Sequence, residues 1–246
     1  MRLFFHCLEC AAGAPKPSLN FAFLDIRNDG LYEFTCPKGH KIVNALQEQK
    51  FEILFEIGAH AVLDGYYREA VSSFSASLER FYEFYVKVIC LSRGIDDSQI
   101  QNAWNGISRQ SERQLGAFIY VFLVETGQTP QILSNREREF RNKVIHKGRI
   151  PEMNEAIEYG QKVLDLILQV LNDLKQSHEE EVHKMVSQHV ERIVAKAPKG
   201  TQISTLSHIT IVSISAEATG AKKLQDELDR LTFERKLFGD IEKNYM

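Results

Sequence analysis

An arginine and a histidine, Arg141 and His146, lie five residues apart in a strongly basic segment of this chain. Residues 134–149 hold six Arg or Lys against two Glu, whereas the whole chain has a net charge of −3. A guanidinium is permanently charged and donates two parallel hydrogen bonds to a phosphate. An imidazole gains and loses protons near neutral pH. The pair therefore suits chemistry at a phosphodiester, with the histidine moving protons and the arginine stabilising the charged phosphate oxygens.

Helix geometry complicates this pairing. Residues five apart on an α-helix point about 140° away from each other, so Arg141 and His146 do not share a face. Asn142 lies four residues before His146 and does share its face, where it would orient the imidazole or contact the phosphate. Either the long arginine side chain curls around the helix or a second copy of the chain completes the site. We prefer the second option, which predicts a homodimer with a composite cleft. Further basic residues of the segment are candidates for binding substrate: Arg138, Lys143 and Lys147.

A second cluster has the spacing of metal ligands. Cys7 and Cys10 form a C-x-x-C pair, and Cys36 and His40 form a C-x-x-x-H pair after twenty-five intervening residues. Three thiolates and one imidazole can surround Zn²⁺ tetrahedrally, and four protein ligands leave no open position, which favours a structural site. His6, next to Cys7, is the alternative fourth ligand. The first apolar run is interrupted by His6 and is too short for a signal peptide, so we expect a cytoplasmic protein. In such a reducing compartment the crowded cysteines favour metal over disulfides.

The apolar pattern predicts three segments. Residues 1–44 form a small β module of the zinc-ribbon type, with short strand-like runs at 21–24 and 31–34. Residues 45–177 are helical, and an up-and-down bundle of four or five helices is expected. The predicted helices cover 45–63, the apolar stripe from Val71 to Val88, 111–125, a helix from a Ser134–Glu137 capping box to Lys147, and a long helix after Pro151.

Residues 178–246 form the third segment, a mixed α/β extension. It is predicted to contain a helix over 178–196, an apolar β-branched strand over 206–216 and an amphipathic helix over 221–238. A lone strand cannot satisfy its own backbone, so it must pair with the zinc module or with a second copy of the chain. The fold class is therefore mainly α. The apolar runs are far shorter than the ~20 residues of a membrane span, so no membrane contact is expected.

The basic motif and its setting resemble the HEPN family (higher eukaryotes and prokaryotes nucleotide-binding domain) over about residues 47–177. The resemblance rests on a long aromatic-rich helix that bears Glu79, a Pro-initiated helix after the motif, and four motif residues: Arg141, Asn142, His146 and Gly148. It implies a metal-independent endoribonuclease whose arginine and histidine meet at a homodimer interface. It also implies a toxin or anti-phage role, with an antitoxin or regulator as partner. Glu79 would match an acidic residue that some members carry on the second helix.

Two hypotheses follow. In the first, the chain cleaves RNA by attack of the 2′-OH, with His146 as general acid and base, Arg141 as phosphate clamp and Asn142 as support. In the second, the chain is a non-catalytic scaffold, as some HEPN members are. The zinc ribbon would then bind nucleic acid or a partner, and the bundle would only dimerise. Replacement of His146 by alanine would abolish cleavage under the first hypothesis and change little under the second.

Overall fold

The computed structural model describes residues 1–7, 9–10, 20–217 and 220–245. Positions 8 and 11–19 of the predicted zinc ribbon, and 218–219 and 246 of the predicted extension, lie outside the described residues. The described chain is mainly α, as predicted, with small β-sheets. No helix in this part of the chain combines the length and apolar character that a bilayer crossing requires.

The strands are β1 (Arg2–His6), β2 (Phe21–Asp25), β3 (Leu31–Thr35), β4 (Lys41–Leu46) and β5 (Ile203–Leu206). The helices are α1 (Lys50–Leu63), α2 (Tyr67–Ser92), α3 (Asp97–Asn105), α4 (Ser111–Thr126), α5 (Asn135–Lys147), α6 (Met153–Ser177), α7 (Glu179–Val194) and α8 (Leu224–Tyr245). Contacts group the chain into two compact units, Met1–Gln49 with His183–Ile209, and Lys50–Val182 with Thr210–Met246. The three-segment division at 44 and 177 stays a prediction.

The first unit is built on two small sheets. Strands β1 and β2 form an antiparallel pair, and β3, β4 and β5 form a three-stranded sheet in which β5 runs parallel to β4. The strands predicted at 21–24 and 31–34 are present. The predicted first helix begins at Lys50 and not at residue 45, because residues 41–46 are held between β3 and β5.

The predicted strand at 206–216 is wrong in extent, although a short strand from this region does pair with the predicted zinc module. Only Ile203–Leu206 is a strand, with Thr205 opposite Ala45. Beyond it, a carboxylate replaces a neighbouring strand. In the first unit, Oε1 of Glu48 accepts hydrogen bonds from the Ser207 hydroxyl at 2.9 Å and the His208 backbone N–H at 2.6 Å.

The second unit is organised around α2. Its predicted stripe is buried throughout: Val71, Phe74, Leu78, Phe81, Tyr85 and Val88. Helix α2 packs against α1, α3, α4, α5 and α6, and α8 packs against α1 and α6. Helix α3 was not predicted from the sequence, because its nine residues bury only Ile100 and Trp104 and carry little periodic signal.

Within the second unit, residues 210–216 cross the helices without forming a strand. The backbone N–H groups of Ile211 and Ile214 donate to Glu56 at 3.0 Å and to Glu52 at 2.8 Å. The Lys222 ammonium donates to the Ile211 carbonyl at 3.0 Å. Side chains therefore satisfy backbone groups that a sheet would otherwise pair. Burial raises the pKa of Glu56 to about 7.

Candidate functional site

Helix α5 presents the basic motif as one regular helix with defined ends. Its capping box is present as predicted: the Ser134 side chain accepts from the Glu137 backbone N–H at 3.3 Å, and the Ser134 backbone N–H donates to Glu137 at 2.6 Å. Gly148 ends the helix with φ 70°, a left-handed conformation that suits glycine, and its N–H donates to the Lys143 carbonyl. Val144 is the one buried residue of α5, so most of the motif's side chains are accessible.

The Arg141 side chain is held by Glu79, a residue of helix α2. Its Nη2 donates to Oε1 of Glu79 at 2.5 Å, and its Nη1 donates to Oδ1 of Asn142 at 3.1 Å. The Arg141 and Glu79 side chains are only 19% and 26% exposed, so the pair is partly shielded from water. A guanidinium has five N–H donors, so three remain for another anion. The arrangement fixes the cation in place without using up its capacity to bind phosphate.

A cavity of about 420 Å³ opens beside this pair. Six side chains matter most for its chemistry: Glu79, Tyr82, Arg138, Arg141, Asn142 and Tyr159. The wall at Tyr159 is rigid, because its hydroxyl lies 2.8 Å from Ser75 Oγ, and Ser75 in turn donates to the Val71 carbonyl at 2.7 Å. Burial raises the pKa of Tyr159 to about 12, so its phenol stays neutral at physiological pH.

The other residues named from the sequence lie around α5 at different places. Arg138 lines the same cavity and donates to Asn135. His146 is exposed one turn beyond Asn142 and is absent from the described lining of the cavity. Lys143 and Lys147 are exposed as well, and Lys143 lines a second cavity. One chain therefore brings Arg141, Asn142 and Arg138 together but leaves His146 outside.

The predicted metal ligands converge in the first unit. Among the described residues, one His/Cys/Asp/Glu group can hold a metal ion, and its ligand atoms all lie within 4.8 Å of one another: Cys7, Cys10, Cys36 and His40. The three cysteines are buried, and His40 is partly buried. His6 lies outside the group and stacks on Phe4 with ring centroids 6.4 Å apart. The structure thus places His40, not His6, with the cysteines.

The spacing of these atoms is compatible with zinc. Tetrahedral bonds of about 2.3 Å to sulfur and about 2.0 Å to nitrogen put two sulfurs about 3.8 Å apart and a sulfur and a nitrogen about 3.5 Å apart. The Cys10 and Cys36 sulfurs are 3.8 Å apart. Nδ1 of His40 lies 3.5, 3.2 and 3.5 Å from the sulfurs of Cys7, Cys10 and Cys36.

The surroundings of the four ligands also suit a metal. Gly39 makes the tight turn at φ 86°, so that the Cys36 N–H can donate to the His40 carbonyl at 3.0 Å. Nε2 of His40 lies 3.7 Å from the Glu9 carboxylate, the type of outer partner that orients a ligating imidazole. One feature opposes metal binding, because burial raises the pKa of Cys7 to about 11 and a metal needs its thiolate. The Cys36 sulfur is also desolvated, but backbone N–H groups of His40 and Lys38 outweigh this and lower its pKa to about 7.

Some residues of the site could not be found from the sequence. Ser75 and Tyr159 sit on the buried faces of α2 and α6, where their spacing resembles that of ordinary core residues. The second cavity, about 710 Å³ in volume, joins α5 to residues far along the chain, including Lys223 and Gln225. Such distant pairings carry no local pattern that a sequence could reveal.

No family model, curated protein or solved structure matches this chain. Function is therefore inferred from the residues and their geometry.

Proposed function

We propose that the chain is a metal-independent endoribonuclease of the HEPN type. The observation that carries this proposal is the clamp at Arg141. Glu79 fixes the guanidinium at the edge of a cavity, with Asn142 bonded to it and three N–H donors left over. An immobilised cation is well placed to stabilise charge that develops on a phosphate.

The proposed reaction is transesterification followed by release. The 2′-oxygen attacks the adjacent phosphorus while His146 accepts the 2′-OH proton, and the bond from phosphorus to the 5′-oxygen breaks. A second, protonated imidazole gives its proton to that 5′-oxygen. The products are a 2′,3′-cyclic phosphate and a free 5′-hydroxyl. Arg141 stabilises the pentacoordinate phosphorus through its free N–H donors, and Asn142 supports the arginine.

The second imidazole and the position of His146 both favour a homodimer. His146 lies outside the cavity of its own chain, and one chain supplies only one such histidine. A two-fold axis beside α5 would set the partner subunit's His146 over the Arg141 clamp and supply both base and acid. The regulated role that the resemblance implies, as a toxin or anti-phage effector restrained by an antitoxin, is part of the same proposal.

We further propose that Cys7, Cys10, Cys36 and His40 hold a structural Zn²⁺. The spacing of their ligand atoms supports this assignment, as does the small number of apolar side chains around them: Ile42, with Phe34 packed against the group. Four protein ligands leave the ion no open position for a reacting group. Its contribution would be to fold stability. We place the protein in the cytoplasm, where thiols persist for metal binding.

A non-catalytic scaffold is the second candidate. The separation of His146 from the Arg141 cavity within one chain favours it, because Arg141 could then bind an anion without any proton transfer. The zinc module would supply recognition and the helical unit would dimerise.

The deciding experiment is cleavage of a mixed RNA pool in magnesium-free, zinc-replete buffer, with a parallel lane in EDTA. Wild type is compared with Arg141→Ala and His146→Ala, and with Arg109→Ala as a matched exposed arginine outside the site. We expect cyclic-phosphate ends from wild type and Arg109→Ala only. Equal cleavage by all four proteins would show a contaminating nuclease, and no cleavage by any would favour the scaffold.

A further inference from the structure

Helix α5 carries a second chemical face, separate from the face at Arg141. Arg136, Phe140 and Lys143 are spaced i, i+4 and i+7, so they project from the same side of the helix. They line the cavity of about 710 Å³, which we call the α5–α6 groove, together with residues of α6 and the start of α8. Its volume falls in the range of about 300–1,000 Å³ that is typical of ligand sites.

Some of the charged side chains that line the α5–α6 groove are in ion pairs or hydrogen bonds, and others are in no ion pair. Arg149 is paired with Glu155 at 2.5 Å, and Glu137 is engaged in the capping box. Two lining carboxylates have no ion pair in the described chain, Glu139 and Glu158. Four lining cations likewise have no ion pair there: Arg136, Lys143, Lys162 and Lys223. The four cations outnumber the two carboxylates among these lining side chains without an ion pair, so their net charge is positive. A positive groove favours a ligand with more than one negative group.

The groove also offers flat surfaces. The Arg149 guanidinium lies 5.3 Å from the centre of the Phe140 ring, and the Tyr159 ring lies 5.7 Å from it. Nucleic-acid bases stack on aromatic rings and on guanidinium planes. Cations beside such surfaces match a chain of phosphates and bases better than an acidic peptide, because each nucleotide supplies both a negative charge and an aromatic ring, whereas Asp and Glu side chains supply the charge alone.

The groove adjoins the Arg141 cavity. Glu139 and Tyr159 line both, so a strand with one phosphate at Arg141 would have its neighbouring nucleotides within reach of the groove. We propose that the α5–α6 groove binds one or two nucleotides of single-stranded RNA next to the phosphate held at Arg141. The choice of RNA as ligand rests on the proposed function.

Binding is measured with the full-length, zinc-replete protein and a fluorescein-labelled, 2′-O-methylated 12-nucleotide oligoadenylate. This probe lacks the attacking hydroxyl, so binding is read without cleavage. The test variant is Lys162→Gln with Lys223→Gln. The matched control is Lys184→Gln with Lys236→Gln, which removes the same charge at exposed lysines away from the groove.

We expect the groove variant to bind about tenfold more weakly than wild type, with a salt dependence of log Kd shallower by about 1.4, the value for two lost phosphate contacts. The control variant should bind as wild type does. Phe140→Leu should weaken binding by about fivefold or more through lost stacking, with an unchanged salt dependence. A thermal melt of each variant verifies folding.

Equal affinity of the groove and control variants for the oligonucleotide would overturn the proposal. This is also the result expected if the groove binds an acidic protein segment and not RNA. Displacement of the oligonucleotide by an equal concentration of AMP would also overturn it, in favour of a free nucleotide. The outcome is separable from catalysis. Groove-dependent binding without cleavage by wild type would refute the ribonuclease alone, whereas cleavage without groove-dependent binding would refute the groove alone.

Discussion

Nη2 of Arg141 donates a hydrogen bond to Oε1 of Glu79 at 2.5 Å, which links the exposed helix α5 to the central helix α2 across 62 positions of sequence. Each partner is partly shielded, so the pair is worth more than a solvated surface ion pair. In the proposed site Glu79 would be a positioning residue, because its carboxylate holds a cation that lines a cavity.

A double-mutant cycle measures this link. Glu79→Gln, Arg141→Gln and the double variant are unfolded in urea, and we expect a coupling energy of about 1 kcal/mol. Arg68 and Glu69, adjacent in sequence and 3.4 Å apart, have side chains that are 43% and 56% exposed, about twice the exposure of the first pair. This pair serves as the comparison cycle and should show almost no coupling. Additive effects at Glu79 and Arg141 would contradict the contact.

Mixed dimers test the composite site. Wild type is mixed with an equal amount of the Arg141→Ala/His146→Ala double variant and allowed to exchange subunits. In a heterodimer the wild-type arginine and histidine each face an alanine of the partner and the second imidazole is lost, so only wild-type homodimers, about a quarter of the dimers, should cleave. Cleavage should therefore fall to about half of that before exchange. Cleavage that does not change, despite exchange verified with differently tagged chains, would place the whole site within one chain.

Zinc content should separate the two candidate histidines. We expect about one zinc per chain, by elemental analysis, in wild type and in His6→Ala, and rapid loss of zinc to a chelator from His40→Ala. Cys36→Ser should behave as His40→Ala does, whereas Cys90→Ser, at a cysteine outside the cluster, should retain the metal. Loss of zinc should lower the melting temperature, because a structural ion bound at this site would contribute to folding. Retention by His40→Ala combined with loss by His6→Ala would reverse the assignment.

The buried carboxyl of Glu56 should make stability depend on pH. Its pKa is about 7 in the folded chain because burial disfavours its charged form, against an ordinary value of 4.5 when unfolded. A raised folded pKa contributes stability that is fully present below pH 4.5 and is lost as the pH rises through 7. Glu56→Gln should therefore gain about 2 to 3 kcal/mol relative to wild type between pH 4.5 and pH 8.

The measurement is urea unfolding of both proteins across this range. Glu217→Gln, at an exposed carboxylate of the same loop region, is the matched control for the loss of one carboxylate. A difference for Glu56→Gln that does not change with pH would mean that the carboxyl titrates normally in the folded chain.

Local patterns in the sequence predicted the features that depend on neighbours along the chain. The apolar stripe of α2, the capping box at Ser134, and the separate spacings of Cys7 with Cys10 and of Cys36 with His40 are short-range signals. Each is a periodicity or a spacing whose physical cause lies within a few turns or one knuckle. The structure bears them out for that reason. The convergence of the two knuckles, which joins residues 26 positions apart, was predicted from the ligand chemistry of zinc.

The features missed depend on distant partners. The apolar run 206–216 has strand-like composition, but carboxylates of Glu48, Glu52 and Glu56 take the backbone hydrogen bonds beyond Leu206. Residues 45 and 46 appear helical in pattern, yet β5 holds them as a strand. Tertiary pairing overrides propensity in both cases. The pattern of one chain also does not indicate whether a second copy brings a His146 to Arg141, as we propose.

The parallel pairing of β4 with β5 has a consequence for synthesis on the ribosome. Val43 faces Ile203, so β4 emerges 160 positions before its partner strand. At about 5–20 residues per second, its edge remains uncovered for about 8 to 32 s. Such an edge can recruit other nascent chains. Chains terminated before residue 203 should therefore aggregate even when supplied with zinc. The sheet of the first unit is complete only when β5 has been synthesised and has paired with β4.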